Sequence, residues 1–142
     1  MKDGVIIFSR MSSKRLYGKA LLDIYGMPLL GRIIQRAKLV DNCKVVVATS
    51  EKEDDYKIIN YCKKINIDCF IGNLDDVMKR AIDCAKFFNF DRFARVCGDR
   101  PLFDYKMINK FMFEHKNKKL DLITNAFPST FPKGMTTEII SY

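Results

Sequence analysis

Gly4-Val5-Ile6-Ile7-Phe8-Ser9 runs straight into Arg10-Met11-Ser12-Ser13-Lys14-Arg15-Leu16-Tyr17-Gly18-Lys19, and this junction decides the fold. Four consecutive apolar residues, stopped by a hydroxyl and a cation, suit a short strand buried on both faces. The polar run after it is then a loop at that strand's carboxyl end. Pro28 to Ala37 follows as a helix. Proline suits the first helical position, and Leu30, Ile33, Ile34 and Ala37 share one buried stripe. Lys44–Thr49 returns to β-branched strand character.

The alternation continues along the chain. Glu53–Lys64 predicts a helix with Ile58, Ile59 and Cys62 inward, and Asp68–Ile71 a short strand closed by Gly72. Leu74–Phe88 predicts a helix carrying Val77, Ala81, Ala85 and Phe88 on one stripe. Arg92–Cys97 reads as a strand ending at Gly98-Asp99, and Asp104–Lys116 as a helix. Asp121–Asn125 and Thr136–Ser141 read as two more strands. Strands alternating with helices imply right-handed crossovers and a mostly parallel sheet in three αβα layers. With no internal repeat and no Pro/Gly/Ser-rich linker, residues 1–142 are expected to form a single α/β domain. Ligands of such sheets bind at strand carboxyl ends near a switch in strand order. The loops after the first and fourth strands are therefore the ones to inspect.

Composition narrows the function classes. A chain of 142 residues, 48% hydrophobic and 30% charged, fits one soluble globular core. No apolar run approaches the 18 or so residues of a membrane span. The N-terminus lacks the apolar stretch and cleavage site of a signal peptide, so the expected location is the cytoplasm. Five cysteines cannot all pair, and no C-x-x-C suggests zinc; Cys62, Cys84 and Cys97 read as small buried hydrophobes. The one histidine, His115, builds no Ser-His-Asp or Cys-His constellation with the other motifs, which disfavours triad hydrolysis. The net charge of +8 is uneven, because residues 1–40 hold eight Lys/Arg against two acidic residues. That excess suits an anionic partner such as nucleic acid, acidic lipid or polyphosphate, though on charge alone a bland basic surface is the better reading. Nucleic acid is disfavoured, since the cations gather in one strand-end loop without a helix-turn-helix, zinc-finger or RRM pattern. The absence of any D-x-D disfavours a metal-dependent glycosyltransferase.

In the first loop, Arg10, Lys14, Arg15 and Lys19 stand among Ser9, Ser12, Ser13 and Gly18. Arginine offers a planar fork for phosphate oxygens and lysine a compact charge, while hydroxyls and loop amides add neutral donors. The loop can neutralise a triphosphate. It is neither G-x-x-x-x-G-K-[ST] nor G-x-G-x-x-G, and by composition alone a solvated basic turn fits it equally well. After the fourth strand, Gly98 permits close approach of a ligand, and Asp99 is a hard carboxylate of the type that holds Mg²⁺ beside polyphosphate. Capping the next helix is the competing role, for which Asp104 is better placed. Asp75 and Asp76 open a helix, where acidic side chains suit the positive dipole end, and neither is assigned to metal.

These stretches resemble the cytidylyltransferases that make CMP-activated sugars. The first loop is similar to the A-R-x-G-S-x-R-L-P-G-K signature of the acylneuraminate and Kdo cytidylyltransferases and of the spore-coat polysaccharide cytidylyltransferase-like group. The likeness continues in order. Leu21-Leu22-Asp23-Ile24-Tyr25-Gly26-Met27-Pro28-Leu29-Leu30 resembles L-L-x-x-x-G-x-P-L-L, and Val45 to Ser50 resembles V-V-V-A-T-S. Gly72 to Val77 resembles G-S-E-D-D-V, and Arg95 to Leu102 resembles R-I-T-G-D-x-P-L. Phe131 to Glu138 resembles Y-P-x-G-x-x-x-E. Ser12 stands where the family has glycine and Tyr17 where it has proline, which adds a side chain near the phosphates and removes a rigid constraint.

The resemblance implies a nucleotide-diphospho-sugar transferase (Rossmann-like) fold, C-terminally truncated, with residues 1–142 as its N-terminal, nucleotide-binding part. It implies transfer of CMP from CTP to a sugar, a 2-keto sugar acid, with release of pyrophosphate in surface polysaccharide or glycan biosynthesis. Arg10, Ser12, Ser13, Lys14, Arg15 and Lys19 would bind nucleotide; Arg10, Lys19 and Asp99 would be catalytic; Asp99 would hold Mg²⁺. Arg100, Lys133 and Glu138 would face the acceptor, with Arg80 a further candidate cation for an acceptor carboxylate. A homodimer is implied for the full-length protein. Two alternatives stand beside this: a nucleotide-binding module without turnover, and a related nucleotidyltransferase acting on a sugar 1-phosphate.

Overall fold

The structure, a computed structural model, describes residues 2–129 and 131–142. Its strands are β1 (Asp3–Phe8), β2 (Cys43–Ser50), β3 (Asp68–Gly72), β4 (Arg92–Cys97), β5 (Leu122–Thr124) and β6 (Glu138–Ser141). They form one sheet in the order β3-β2-β1-β4-β6-β5. β1 pairs parallel with β2 and β4, and β2 with β3. β6 runs antiparallel between β4 and β5. Strand order therefore switches around β1, with β2 on one side and β4 on the other, at the place where open sheets leave a crevice.

The helices are α1 (Leu29–Ala37), α2 (Tyr56–Lys64), α3 (Val77–Phe88) and α4 (Tyr105–Lys118). β1 divides the core by alternation. Val5 and Ile7 pack with the buried residues of α1, α2 and α4, whereas Ile6 packs with Ala81, Cys84, Ala85 and Phe88 of α3. These β1 side chains are fully buried, worth about 1.5–3 kcal/mol each. No helix among the described residues is long and apolar enough to cross a membrane.

Boundaries shift where side chains compete for backbone groups. α3 starts at Val77, not Leu74, because Asn73 Oδ1 accepts the Asp75 and Asp76 N–H groups at 2.9 and 2.7 Å. Asp76 then caps the helix through Lys79 N–H. The buried stripe turns with it, so Arg80 is buried and Val77 is only half-buried. The segment from Glu53 begins with a 3-10 turn, Glu53–Asp55, ahead of α2. Asp104 caps α4 through Lys106 N–H. β6 starts at Glu138 because Thr137 donates its N–H to Asn125 Oδ1 at 2.8 Å. Cys62 and Cys84 are buried as expected, while Cys97 is half-buried.

His115, in the last turn of α4, is buried with Nε2 3.3 Å from Ser141 Oγ. Burial, and then the Arg92 charge, hold its imidazole below its ordinary value. The native state therefore binds fewer protons than the unfolded chain near pH 6. Stability is expected to fall as pH drops below about 6.5. Melting wild type and His115→Gln between pH 5 and 8 checks this, and the variant should flatten the acid side of the curve.

Candidate active site

The loop after β1 is shaped around Met11. Its side chain is buried, its N–H donates to Asp55 Oδ1 at 2.6 Å, and its carbonyl accepts from both Ser13 and Gly18 N–H at 2.9 Å. Closing on one carbonyl needs the left-handed turn at Gly18, φ +70°, which glycine adopts without a Cβ penalty. Lys14 and Arg15 are thus carried on a ring closed on Met11, with Arg10 and Lys19 flanking it. Tyr17, in the family's proline position, hydrogen-bonds Asp54; this raises the phenol above its ordinary value and lowers the carboxyl. A side-chain tether stands where the family has a rigid ring.

Beside this loop, β4 ends against β1. Gly98 donates its N–H to Phe8 O at 2.8 Å, and a Cβ there would lie 2.6 Å from that same oxygen. Glycine is what lets Asp99 reach the strand-end crevice. Asp99 Oδ2 meets Lys19 Nζ at 2.6 Å. That ammonium, ahead of all other causes, holds the Asp99 carboxyl below the usual carboxylate range.

Between the two loops and α3 lies a cleft of about 390 Å³. Arg10, Ser12, Ser13, Lys14, Arg15, Lys19 and Asp99 all line it. Arg80 lines it too, from α3, away from the other acceptor candidates. Among the described residues no three metal-ligating side chains gather, and Asp99 is the single carboxylate in the cleft lining. A cation that keeps its waters and shares phosphate oxygens needs only one or two carboxylates, so Asp99 fits Mg²⁺ as its protein ligand.

A neighbouring depression of about 220 Å³ brings Arg100 and Glu138 together with Arg95, Cys97, Ala126 and Thr136. Arg95 Nη1 donates to Glu138 Oε2 at 2.6 Å, so that carboxylate is already engaged. Lys133 is exposed and lies outside both linings. No ion pair joins Arg100 to Asp104 among the described residues, where the cap role occupies the carboxylate. A larger hollow of about 580 Å³ between α1 and Pro101-Leu102 contains no carboxylate. Its Arg32 and Arg36 side chains are tied to the carbonyls of Ile24, Tyr25 and Phe103.

Sequence reasoning missed Asp55 and the burial of Arg80. Asp55 is wholly buried and joins the β1 loop to β2 through Met11 and Ser50. Within the acidic run Glu53-Asp54-Asp55 nothing separates it from two solvated neighbours.

The cytidylyltransferase family model matches residues 4–138. A 3-deoxy-manno-octulosonate cytidylyltransferase of Fusobacterium nucleatum is 32% identical over 84% of this chain and 49% of its own length. The spore coat polysaccharide biosynthesis protein SpsF of Bacillus subtilis is 28% identical over 96% of this chain and 58% of its own. The chain spans about half the length of the curated relatives it matches. A solved cytidylyltransferase of Leptospira borgpetersenii superposes with a TM-score of 0.91 at 35% identity, covering 99% of this chain and 60% of that one. Matched along nearly all its length in sequence and in backbone, this chain belongs to the cytidylyltransferase family.

Proposed function

We propose that the cleft binds CTP and that the protein transfers CMP from it to a sugar, a 2-keto sugar acid, releasing pyrophosphate. The observation that carries this is the convergence of Arg10, Ser12, Ser13, Lys14, Arg15, Lys19 and Asp99 in one cleft of a cytidylyltransferase fold. Arg10, Lys14, Arg15 and Lys19 neutralise the β- and γ-phosphates and the pyrophosphate that departs, while Ser12 and Ser13 add neutral donors. Phosphate oxygens compete for the Lys19 ammonium that Asp99 holds, and that exchange frees the carboxylate. Asp99 would hold Mg²⁺, which would supply charge to polarise the α-phosphate for attack by a sugar oxygen. Positioning and charge neutralisation are then the main contributions of the protein. In this reading residues 1–142 are the nucleotide-binding part of a longer family domain that pairs as a homodimer, acting in surface polysaccharide or glycan biosynthesis.

The acceptor side falls to the depression beside the cleft. Arg100, next to Asp99 in sequence, faces an acceptor carboxylate there, with Glu138 in the same lining and Lys133, outside it, as weaker contributors. Arg100→Ala is expected to raise the acceptor KM roughly ten- to a hundredfold, the worth of one charge-assisted contact, with little change in the CTP KM. Steady-state kinetics with both substrates varied check it, and equal loss toward CTP would move Arg100 to the nucleotide.

The full-length gene product, assayed for pyrophosphate release from CTP with sugar acids and with sugar 1-phosphates, tests the reading. Release with a sugar acid supports it; release with a sugar 1-phosphate alone replaces the acceptor. A second reading is nucleotide binding without turnover, in a chain that spans about half the length of the curated relatives it matches. CTP binding without pyrophosphate release would establish that one.

A further inference from the structure

Arg80 is a charged side chain for which the fold supplies no anion. It stands on α3, is 3% exposed, and lines the same cleft as Arg10 and Lys19. Nη1 donates to the Asn73 carbonyl at 2.9 Å, and the guanidinium sits 5.8 Å from the centre of the Phe8 ring. Nε is buried with no hydrogen-bond partner. Among the described residues no carboxylate stands within ion-pair distance of Arg80.

Folding alone does not call for arginine here. The position continues the buried stripe of Ala81, Cys84 and Ala85, where leucine or methionine would pack without a charge to desolvate. Burial and the nearby Arg10 charge both work against the guanidinium, and the buried Asp55 offsets them only in part. A buried N–H without an acceptor forfeits its hydrogen bond. Such groups persist where a ligand completes them.

We propose that Arg80 Nε donates to a phosphate oxygen of the nucleotide, which makes Arg80 a fifth phosphate-binding cation, contributed by α3 and not by the loop. This rests on the nucleotide reading of the cleft given above. A neutral carbonyl of a nucleobase would satisfy Nε but leave Arg10 and Arg80 repelling each other. An anion answers both needs at once. Charge-assisted contacts to phosphate from two directions also fix where the triphosphate lies, a task the flexible loop lysines perform less well.

Calorimetric titration of the full chain with CTP, inorganic tripolyphosphate and cytidine tests this, with melting temperatures measured alongside for wild type, Arg80→Met and Arg80→Lys. Arg80→Met is expected to weaken both CTP and tripolyphosphate by about tenfold or more, to leave cytidine unchanged, and not to lower Tm. Unchanged tripolyphosphate affinity in Arg80→Met overturns the proposal. So does a loss confined to CTP and cytidine, which would place Arg80 on the base. If Arg80→Met fails to fold, Arg80→Lys decides, since it keeps the charge and lacks the planar fork. Several-fold weaker tripolyphosphate binding at unchanged Tm supports the phosphate contact, and wild-type affinity overturns it. Wild-type protein that binds neither CTP nor tripolyphosphate would overturn the nucleotide reading itself, a result separate from any effect of the variants.

Discussion

Asp99→Ala is expected to lower pyrophosphate release by about 10²–10³-fold while leaving the melting temperature nearly unchanged. The two effects separate because the side chain does different amounts of work in each. In the fold, Asp99 makes an ion pair with Lys19 whose side chains are 37% and 23% exposed, and such pairs contribute about 0–1 kcal/mol. In the proposed reaction it is the one carboxylate that lines the cleft. Because Lys19 holds its carboxyl below the usual range, Asp99 stays ionised at neutral pH. The pair's small stabilisation is present above the ordinary value of about 3.9 and is lost as pH falls through the lower native one. A pyrophosphate assay and a thermal melt on the same preparation check both halves. Full activity in the variant would remove Asp99 from the reaction, and a large drop in Tm would make it structural.

Asp55→Ala is expected to cost about 3–4 kcal/mol of stability and to weaken nucleotide binding at a distance. The carboxylate is fully buried and accepts from Met11 N–H, Ser50 N–H and the Ser50 hydroxyl. Alanine leaves those donors without an acceptor in a closed interior, where each unmade hydrogen bond costs about 1–3 kcal/mol. It also frees Met11, the residue on whose carbonyl the cation-bearing loop closes. Urea unfolding should show a lowered midpoint with an unaltered slope, and CTP titration a higher dissociation constant. A stable variant with normal affinity would show that the loop holds its shape without this anchor.

What was legible beforehand follows from how local the governing forces are. Arg92–Cys97 is a strand with the expected limits because its ends are marked by residue type, Asp91 before and Gly98 after. The capping role of Asp104 was readable because a cap is a three-residue interaction. Chemistry alone left the first loop open between a solvated basic turn and a phosphate cradle, and what the fold adds is that its cations and hydroxyls line one cleft with Asp99. The direction of β6 was not readable, because an alternating strand looks the same paired parallel or antiparallel. Nor was the start of α3, where the Asn73 side chain outcompetes helix formation for two backbone N–H groups. Arg80 and Asp55 escaped for one reason. A charged residue reads as solvated until the tertiary structure closes over it, and no local pattern announces the closure.

β6 is hydrogen-bonded on one side to β4 and on the other to β5, and β5 has no other partner in the sheet. A ribosome delivers β5 before β6, so β5 must wait undocked, and β4 keeps a bare edge, until residues 138–141 emerge. The cation-lined cleft has no such delay. Every residue lining it precedes Arg100 in the chain, whereas the neighbouring depression needs Ala126, Thr136 and Glu138. Vectorial synthesis therefore assembles the two halves of the crevice in sequence. The half that carries the loop cations and Asp99 is in place while the wall that carries Ala126, Thr136 and Glu138 is still being translated.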